Sequence, residues 1–325
     1  MKLILNIYYT LLFCVIVLPH WSAYGQRSNY PESSQIKFAV FSSSGELIPC
    51  RIHLMDSSGN SYFARGLPKW ADHFVCRGEA TVTVPEGRYS YVIERGPEFT
   101  RISGNVEVHG NQLISVERLL HSHTDMKAKG WYSGDMHVHR SVSDVRLLME
   151  AENLDYAPVI SWWNSPAKTI KPLDQIDIPF GENRLYTLGA GEDEREGGAL
   201  LYIGLRQPLN LSVKSREFPS PMKFLNEARS INKDVWIDME KPFWWDVPTW
   251  LASGEMNSIG LANNHMCHSQ MLENEAWGFS RDIHRLPNPK GNGYWSQEIY
   301  YHILNTGLRL PPSAGSASGV LPNPV

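Results

Sequence analysis

Between Gln35 and about Leu120, apolar and polar side chains alternate in short runs broken by turn residues. The runs are Ile36-Lys37-Phe38-Ala39-Val40-Phe41, Arg51-Ile52-His53-Leu54-Met55, Ala80-Thr81-Val82-Thr83-Val84, Gly87-Arg88-Tyr89-Ser90-Tyr91-Val92-Ile93 and Gly104-Asn105-Val106-Glu107-Val108. Ser43-Ser44-Gly45 and Asp56-Ser57-Ser58-Gly59-Asn60 punctuate the first of them. A period of two puts alternate side chains on one face, so these runs predict strands, and their spacing predicts a small antiparallel β-sandwich over residues 35–120.

Past the polar stretch His121 to Lys129 the period changes. Val145, Leu148 and Met149 predict a helix over Asp144 to Asn153, and Asp155-Tyr156-Ala157-Pro158-Val159-Ile160 follows as a short buried strand. Pro221 to Ile231 suits another helix, with the strand Asp234-Val235-Trp236-Ile237-Asp238-Met239 after it. Strands alternating with helices imply a mainly parallel sheet covered by helices, with active residues at the carboxyl ends of strands. His137, His139, Asn164, Glu192, Glu240 and the run Asn263-Asn264-His265 take such positions. No internal repeat or low-complexity tract is present. Residues 311–325 have a loop composition with no closing strand or helix, so the second unit is expected to be cut short at its carboxyl end.

The chain of 325 residues is long enough for two domains, and its net charge of -4 comes with no basic stripe, which argues against a nucleic-acid partner. Residues 1–25 read as an export signal: Lys2, the apolar run Leu3 to Leu18, then Ala23-Tyr24-Gly25 before a cut at Gln26, followed by a linker over 26–34. Asn6 and His20 shorten the apolar run below the roughly 20 residues of a membrane span. The expected product is exported, periplasmic or extracellular, with no membrane span after cleavage. Nothing in the sequence signals an oligomeric state. Export exposes Cys50 and Cys76 to an oxidising compartment, and a disulfide between them is left open. Cys267, beside His265 and His268, is either a metal-site neighbour or a buried structural thiol.

The tripeptide His137-Val138-His139 carries the chemistry. In an extended segment its two imidazoles fall on one face, which suits a shared metal ion, and Asp135 beside them is placed to complete the shell or to fix a ring tautomer.

The block Gly134-Asp135-Met136-His137-Val138-His139, followed by Ser143-Asp144 and a helix leading to Leu154-Asp155, resembles the opening of the PHP (polymerase and histidinol phosphatase) domain, particularly its CehA/McbA-like metallohydrolase branch. The resemblance covers roughly residues 128–320, within a domain expected to run over 128–325. It implies a distorted (β/α)7 barrel, up to three divalent metals, and hydrolysis of phosphoesters or, in this branch, of amides and carbamates. It makes His137 and His139 the first-strand metal ligands. Gly189-Ala190-Gly191-Glu192-Asp193-Glu194-Arg195-Glu196-Gly197-Gly198 is similar to the family's glycine-glutamate block, which makes Glu192 the bridging carboxylate and Glu194 its rival. The motifs are degenerate: Trp162 and Trp163 stand where a Thr-Asp-His stretch is usual, Ala199 where a histidine is, and Ser313 to Ser318 where a late Asp-x-His pair is. Val84-Pro85-Glu86-Gly87-Arg88-Tyr89 resembles the turn and rising strand of transthyretin-like or carboxypeptidase-regulatory-like accessory modules.

Glu240 and His265 add possible ligands, so that His137, His139, Glu192, Glu240 and His265 would suit one or two ions of zinc, manganese or iron. Glu240 or Asp246 is the expected proton acceptor, and Arg195 or Lys241 the expected stabiliser of negative charge. Trp162, Trp163, Asn164, Trp244, Trp245 and Asn264 are either core or the walls of a pocket for a small molecule or glycan-like ligand. The expected architecture is thus a β-sandwich followed by an α/β barrel, with metal-assisted hydrolysis as its activity. The competing expectation is a non-catalytic barrel that binds an extracellular ligand.

Overall fold

The computed structural model describes residues 33–164, 172–195, 198–215, 217–266, 282–287 and 290–321. The export signal, nearly all of the linker, Cys267 with His268, and Glu196 with Gly197 lie outside the described residues.

The first region contains β1 (Ser34–Phe41), β2 (Cys50–Asp56), β3 (Lys69–Trp70), β4 (His73–Cys76), β5 (Glu79–Val84), β6 (Gly87–Glu94), β7 (Ile102–Val108) and β8 (Leu113–Leu119). They form two sheets, ordered β5-β1-β8 and β3-β4-β2-β6-β7. The period of two has its expected consequence in β5, where Ala80, Val82 and Val84 are buried and the residues between them are exposed. Ile36 and Phe38 from one sheet meet Ile52, Leu54, Phe74, Tyr91 and Ile93 from the other in a single apolar core. At about 1.5–3 kcal/mol for each large apolar side chain buried, this core is the main source of the region's stability. One pairing departs from the antiparallel expectation, because β1 and β8 run parallel. Cys50 and Cys76 face each other across β2 and β4 as free thiols with their Sγ atoms 3.8 Å apart.

The second region contains α1 (Val142–Ala151), β9 (Tyr156–Trp163), β10 (Asp177–Phe180), β11 (Arg184–Arg195), β12 (Gly198–Ile203), α2 (Pro221–Ile231), β13 (Trp236–Pro242), α3 (Val247–Ser253), β14 (Ser258–Ala262), α4 (Gly291–Asn305) and β15 (Pro312–Ala314). Its sheet has seven strands in the order β10-β11-β12-β13-β14-β15, with β9 also on β11.

This arrangement overturns the expected (β/α)7 barrel. Over all described residues of both regions strand outweighs helix, 39% to 18%, and the four α-helices among them are too few for seven β/α units. The pairs β10–β11, β11–β12 and β12–β13 are antiparallel, while β9–β11, β13–β14 and β14–β15 are parallel. The decisive element is the hairpin of β11 and β12, in which Arg195 pairs with Gly198. A parallel crossover needs a dozen or more residues, and only two separate these strands. The loop expected at the carboxyl end is also corrected, since β15 adds to the sheet and Ser318 bridges Val138.

Local signals account for α2. Ser220 accepts the Met222 N–H at its start and Pro221 opens its first turn, while Phe224, Leu225 and Ala228 turn into a core with Leu200, Tyr202 and Ile237. The two regions are clasped together. Arg95 donates to the carbonyls of Pro49 and Glu150 and to Asn153 Oδ1, Arg51 pairs with Glu152 at 3.2 Å, and the Trp70 indole donates to the Leu321 carbonyl at 2.7 Å. Among the described residues no helix is long and apolar enough to cross a membrane.

Candidate metal centre

His137 and His139 flank Val138, which bridges Val159 on one side and Ser318 on the other. With the segment held extended and Val138 packed into the core beside Val145 and Met149, both imidazoles leave on the opposite face. Their Nε2 atoms lie 2.9 Å apart. Glu192, from β11, brings its Oε2 to 3.1 Å from His137 Nε2 and 3.3 Å from His139 Nε2. Three ligand atoms therefore surround one point at spacings that bonds of about 2.0–2.2 Å to a single ion would produce.

The surroundings are arranged around this point. Glu240 Oε1 lies 2.9 Å from His137 Nδ1, the ring nitrogen facing away from the cluster. A carboxylate in that position fixes the tautomer that leaves the Nε2 lone pair for a metal. The ammonium group of Lys241 contacts Glu194 at 2.6 Å and reaches Glu192 Oε1 at 3.8 Å. Burial favours the neutral forms of Glu192 and Lys241. The charges of His137 and Lys241 nevertheless hold Glu192 well below the usual carboxylate range, and the neighbouring glutamates keep Lys241 charged. Burial alone would depress the His137 pKa, but Glu192 and Glu240 outweigh it and raise it to about 10. Asp238, two residues before Glu240 on the same face of β13, is pushed up to about 6 by burial despite hydrogen bonds from Ser258 and Ser313.

The donor set fits a metal cation. Two imidazole nitrogens at 2.9 Å repel unless a proton or a cation lies between them. Glu240 Oε2 is buried with no hydrogen-bond partner, a polar atom beside the cluster that no side chain satisfies. His137, His139 and Glu192 together could hold a metal ion.

The other expected residues fall into different places. Glu240 orients His137 from its far side and is not a third-ligand neighbour of Glu192. His265 is buried just beyond β14 but is outside the group of ligand atoms that converge. Arg195 is on the wrong face: with a period of two, Glu192 and Glu194 share one side of β11, while Asp193 and Arg195 share the other. There Arg195 forms a bidentate pair with Asp193 at 2.8 Å and lies over Phe224 and Trp244. Asp246 accepts the Ser220 hydroxyl at the start of α3.

The expected pocket divides in two. Trp162 and Trp244 are buried core residues: Trp162 stacks on Tyr202 and lies flat on Gly191, where any Cβ would sit 1.8 Å from the indole. Asn264 is buried as well. Trp163 is 39% exposed, meets His139 edge-on at 5.0 Å and donates to Glu194 Oε2. Asn164 accepts the Glu194 N–H at 2.7 Å, and Trp245 is 56% exposed.

Asp135, expected to complete the shell or fix a ring tautomer, instead accepts the backbone N–H groups of both His137 and Ser316 and so ties the histidine segment to the chain after β15. Two residues that sequence reading missed, Gly315 and Asp238, also lie beside the site. Gly315 passes so close that a Cβ there would lie 2.4 Å from His137 Cβ. The spacing Asp238-x-Glu240 inside a buried strand is the signal that could have identified Asp238.

No known family profile matches the chain, and no curated protein matches it. Among solved structures it is similar to the minor pilin GBS52 of Streptococcus agalactiae, at 13% identity over 29% of this chain and 47% of that one, with a TM-score of 0.25. A streptococcal ancillary pilin shares 12% identity over 58% of this chain and 61% of that one, with a TM-score of 0.22. The chain thus covers less than two thirds of either pilin. Likeness at these scores bears on neither fold nor function.

Proposed function

We propose that this chain is an exported metal-dependent hydrolase with one divalent ion, zinc, manganese or iron, held by His137, His139 and Glu192. The observation that carries the reading is the convergence of the three ligand atoms, with Glu240 on the far nitrogen of His137. Two histidines and one glutamate with an open fourth position form the donor set of many hydrolytic zinc sites. A single ion is favoured because the second oxygen of Glu192, the side on which a bridging carboxylate would take another metal, faces the Lys241 ammonium.

A bound ion would supply Lewis-acid polarisation of a phosphoester, carbamate or amide centre. The chain's own residues supply the rest. Glu240 and Asp135 hold His137 in place, and Lys241 fixes Glu192. Trp163 and Asn164 form the rim against which a small substrate would lie. Glu194, on the same face as Glu192 and held between Lys241 and Trp163, would serve as the acceptor of the attacking water's proton.

The test pairs metal analysis of chelator-stripped, reloaded protein with hydrolysis of activated phosphodiesters, carbamates and amides. The expected result is one ion and turnover, both lost in a His137→Ala, His139→Ala protein. Glu194→Gln is expected to keep the ion and to lower kcat by about 100- to 10,000-fold. Metal uptake without turnover of any of the three substrate classes would sink the hydrolase reading. It would leave a metal-bearing protein that binds a glycan-like ligand, a reading favoured by the exposed Trp163 beside His139.

A further inference from the structure

We propose that the sandwich carries a second divalent-cation site, formed by His53, Asp72 and His73, which pins the β3–β4 hairpin to β2. The site lies apart from His137 and does not depend on the hydrolase reading.

Backbone register assembles it. His53 on β2 is the direct partner of His73 on β4, and Trp70 pairs with His73 across the two-residue turn Ala71-Asp72. Ala71 has φ +38°, a left-handed conformation that a residue with a Cβ rarely adopts, and this tight turn returns Asp72 over the two histidines. One Asp72 oxygen lies 3.0 Å from His53 Nδ1 and the other 2.9 Å from His73 Nδ1. Two imidazoles and one carboxylate on a single face form a ligand set for zinc and related divalent transition metals.

A second observation points the same way. His53 Nε2, the nitrogen facing away from Asp72, lies 3.5 Å from Glu94 Oε2, and Glu94 is held by Arg51 at 2.6 Å. The His53 Nε2 atom is buried with no hydrogen-bond partner, so Glu94 faces it at ion-pair distance as the carboxylate placed to take its proton when Nδ1 turns to a metal. The site is also reachable: the side chains of His53, His73 and Asp72 keep 12%, 13% and 30% of their surface exposed, and His73 lines a cavity of about 230 Å³ shared with Arg51, Arg140 and Glu152. A divalent ion would replace the two contacts through which Asp72 already joins the strands, without moving either backbone.

The experiment uses the full chain with His137→Ala and His139→Ala, which removes the other centre. Equilibrium dialysis against zinc is expected to give one ion per chain. Cobalt(II) is expected to give the visible absorption of an ion bound by nitrogen and oxygen, a signal that a purely hydrogen-bonded triad does not produce. Glu94→Gln is expected to weaken zinc binding by about 10- to 100-fold. Asp72→Asn, which preserves shape, is expected to remove the cobalt bands while the near-ultraviolet dichroism stays that of the folded chain. No zinc uptake by the folded double variant would overturn the proposal. So would cobalt bands that survive Asp72→Asn combined with His53→Ala.

Discussion

The two regions bury different kinds of side chain. In the sandwich the interior is a continuous apolar cluster, and its histidines and carboxylates gather at the edge, partly in contact with solvent. In the mixed sheet the strands themselves carry buried charge: Glu192 and Asp193 in β11, and Asp238, Glu240 and Lys241 in β13. Burying a charged group costs several kcal/mol unless it is paired, and an apolar pair would fill the same space at no such cost. The sandwich therefore shows what this chain does where only packing is required. The mixed sheet shows where something besides packing has decided the residues.

The contrast can be broken most forcefully at Trp162. If that indole is core, Trp162→Ala costs about 3–5 kcal/mol in urea unfolding. A loss below about 1 kcal/mol would restore it to a ligand pocket. Next comes Glu240→Gln, which keeps the shape but removes the charge behind His137. It is expected to weaken metal binding about 10- to 100-fold in a dialysis titration, with the fold intact.

The sandwich has its own response to acid. Its contact with the His53 imidazole, together with the paired Arg51, lowers the Glu94 pKa to about 2 from an ordinary 4.5. A depressed carboxylate pKa contributes stability that is complete above 4.5 and is lost as pH falls towards 2. Over that interval Tm is expected to fall more steeply for the natural protein than for Glu94→Gln, and parallel curves would contradict the pairing. The smallest effect is expected at Trp163. Trp163→Ala should change stability by less than about 0.5 kcal/mol, because the residue is a partly exposed rim, while weakening any ligand that lies against His139.

Legibility in the sequence followed the same division. Where one face of a strand is wet, alternation is visible, as in β1, β2, β5 and β6. β3 and β4 span only Lys69–Trp70 and His73–Cys76, too short for a period to register, although they bring Asp72 and His73 into place. The described residues of β11 from Gly189 and of β12 to Ile203 are nearly all buried, so no period separates strand from helix there, and the hairpin they form is not visible in the sequence. The His-x-His pair and Glu192 could be singled out because few residue types serve as metal ligands. Arg195, three residues after Glu192, turns away from it because successive strand residues face opposite ways, which composition and spacing alone do not reveal before the strand is recognised. The burial of Trp162 depends on Gly191 lying under its ring, a long-range relation that no local pattern records.

The hydrogen bond from Trp70 to Leu321 gives the sandwich a mechanical part to play. From Leu321 the chain runs back through Ser318, whose carbonyl takes the His139 N–H, to Ser316, which Asp135 couples to the His137 N–H. A force applied at the β3–β4 hairpin is thus delivered along one short run of backbone to both histidines. The sandwich serves as the anvil against which they are held, and a cut between the regions would slacken that run even with every ligand still present.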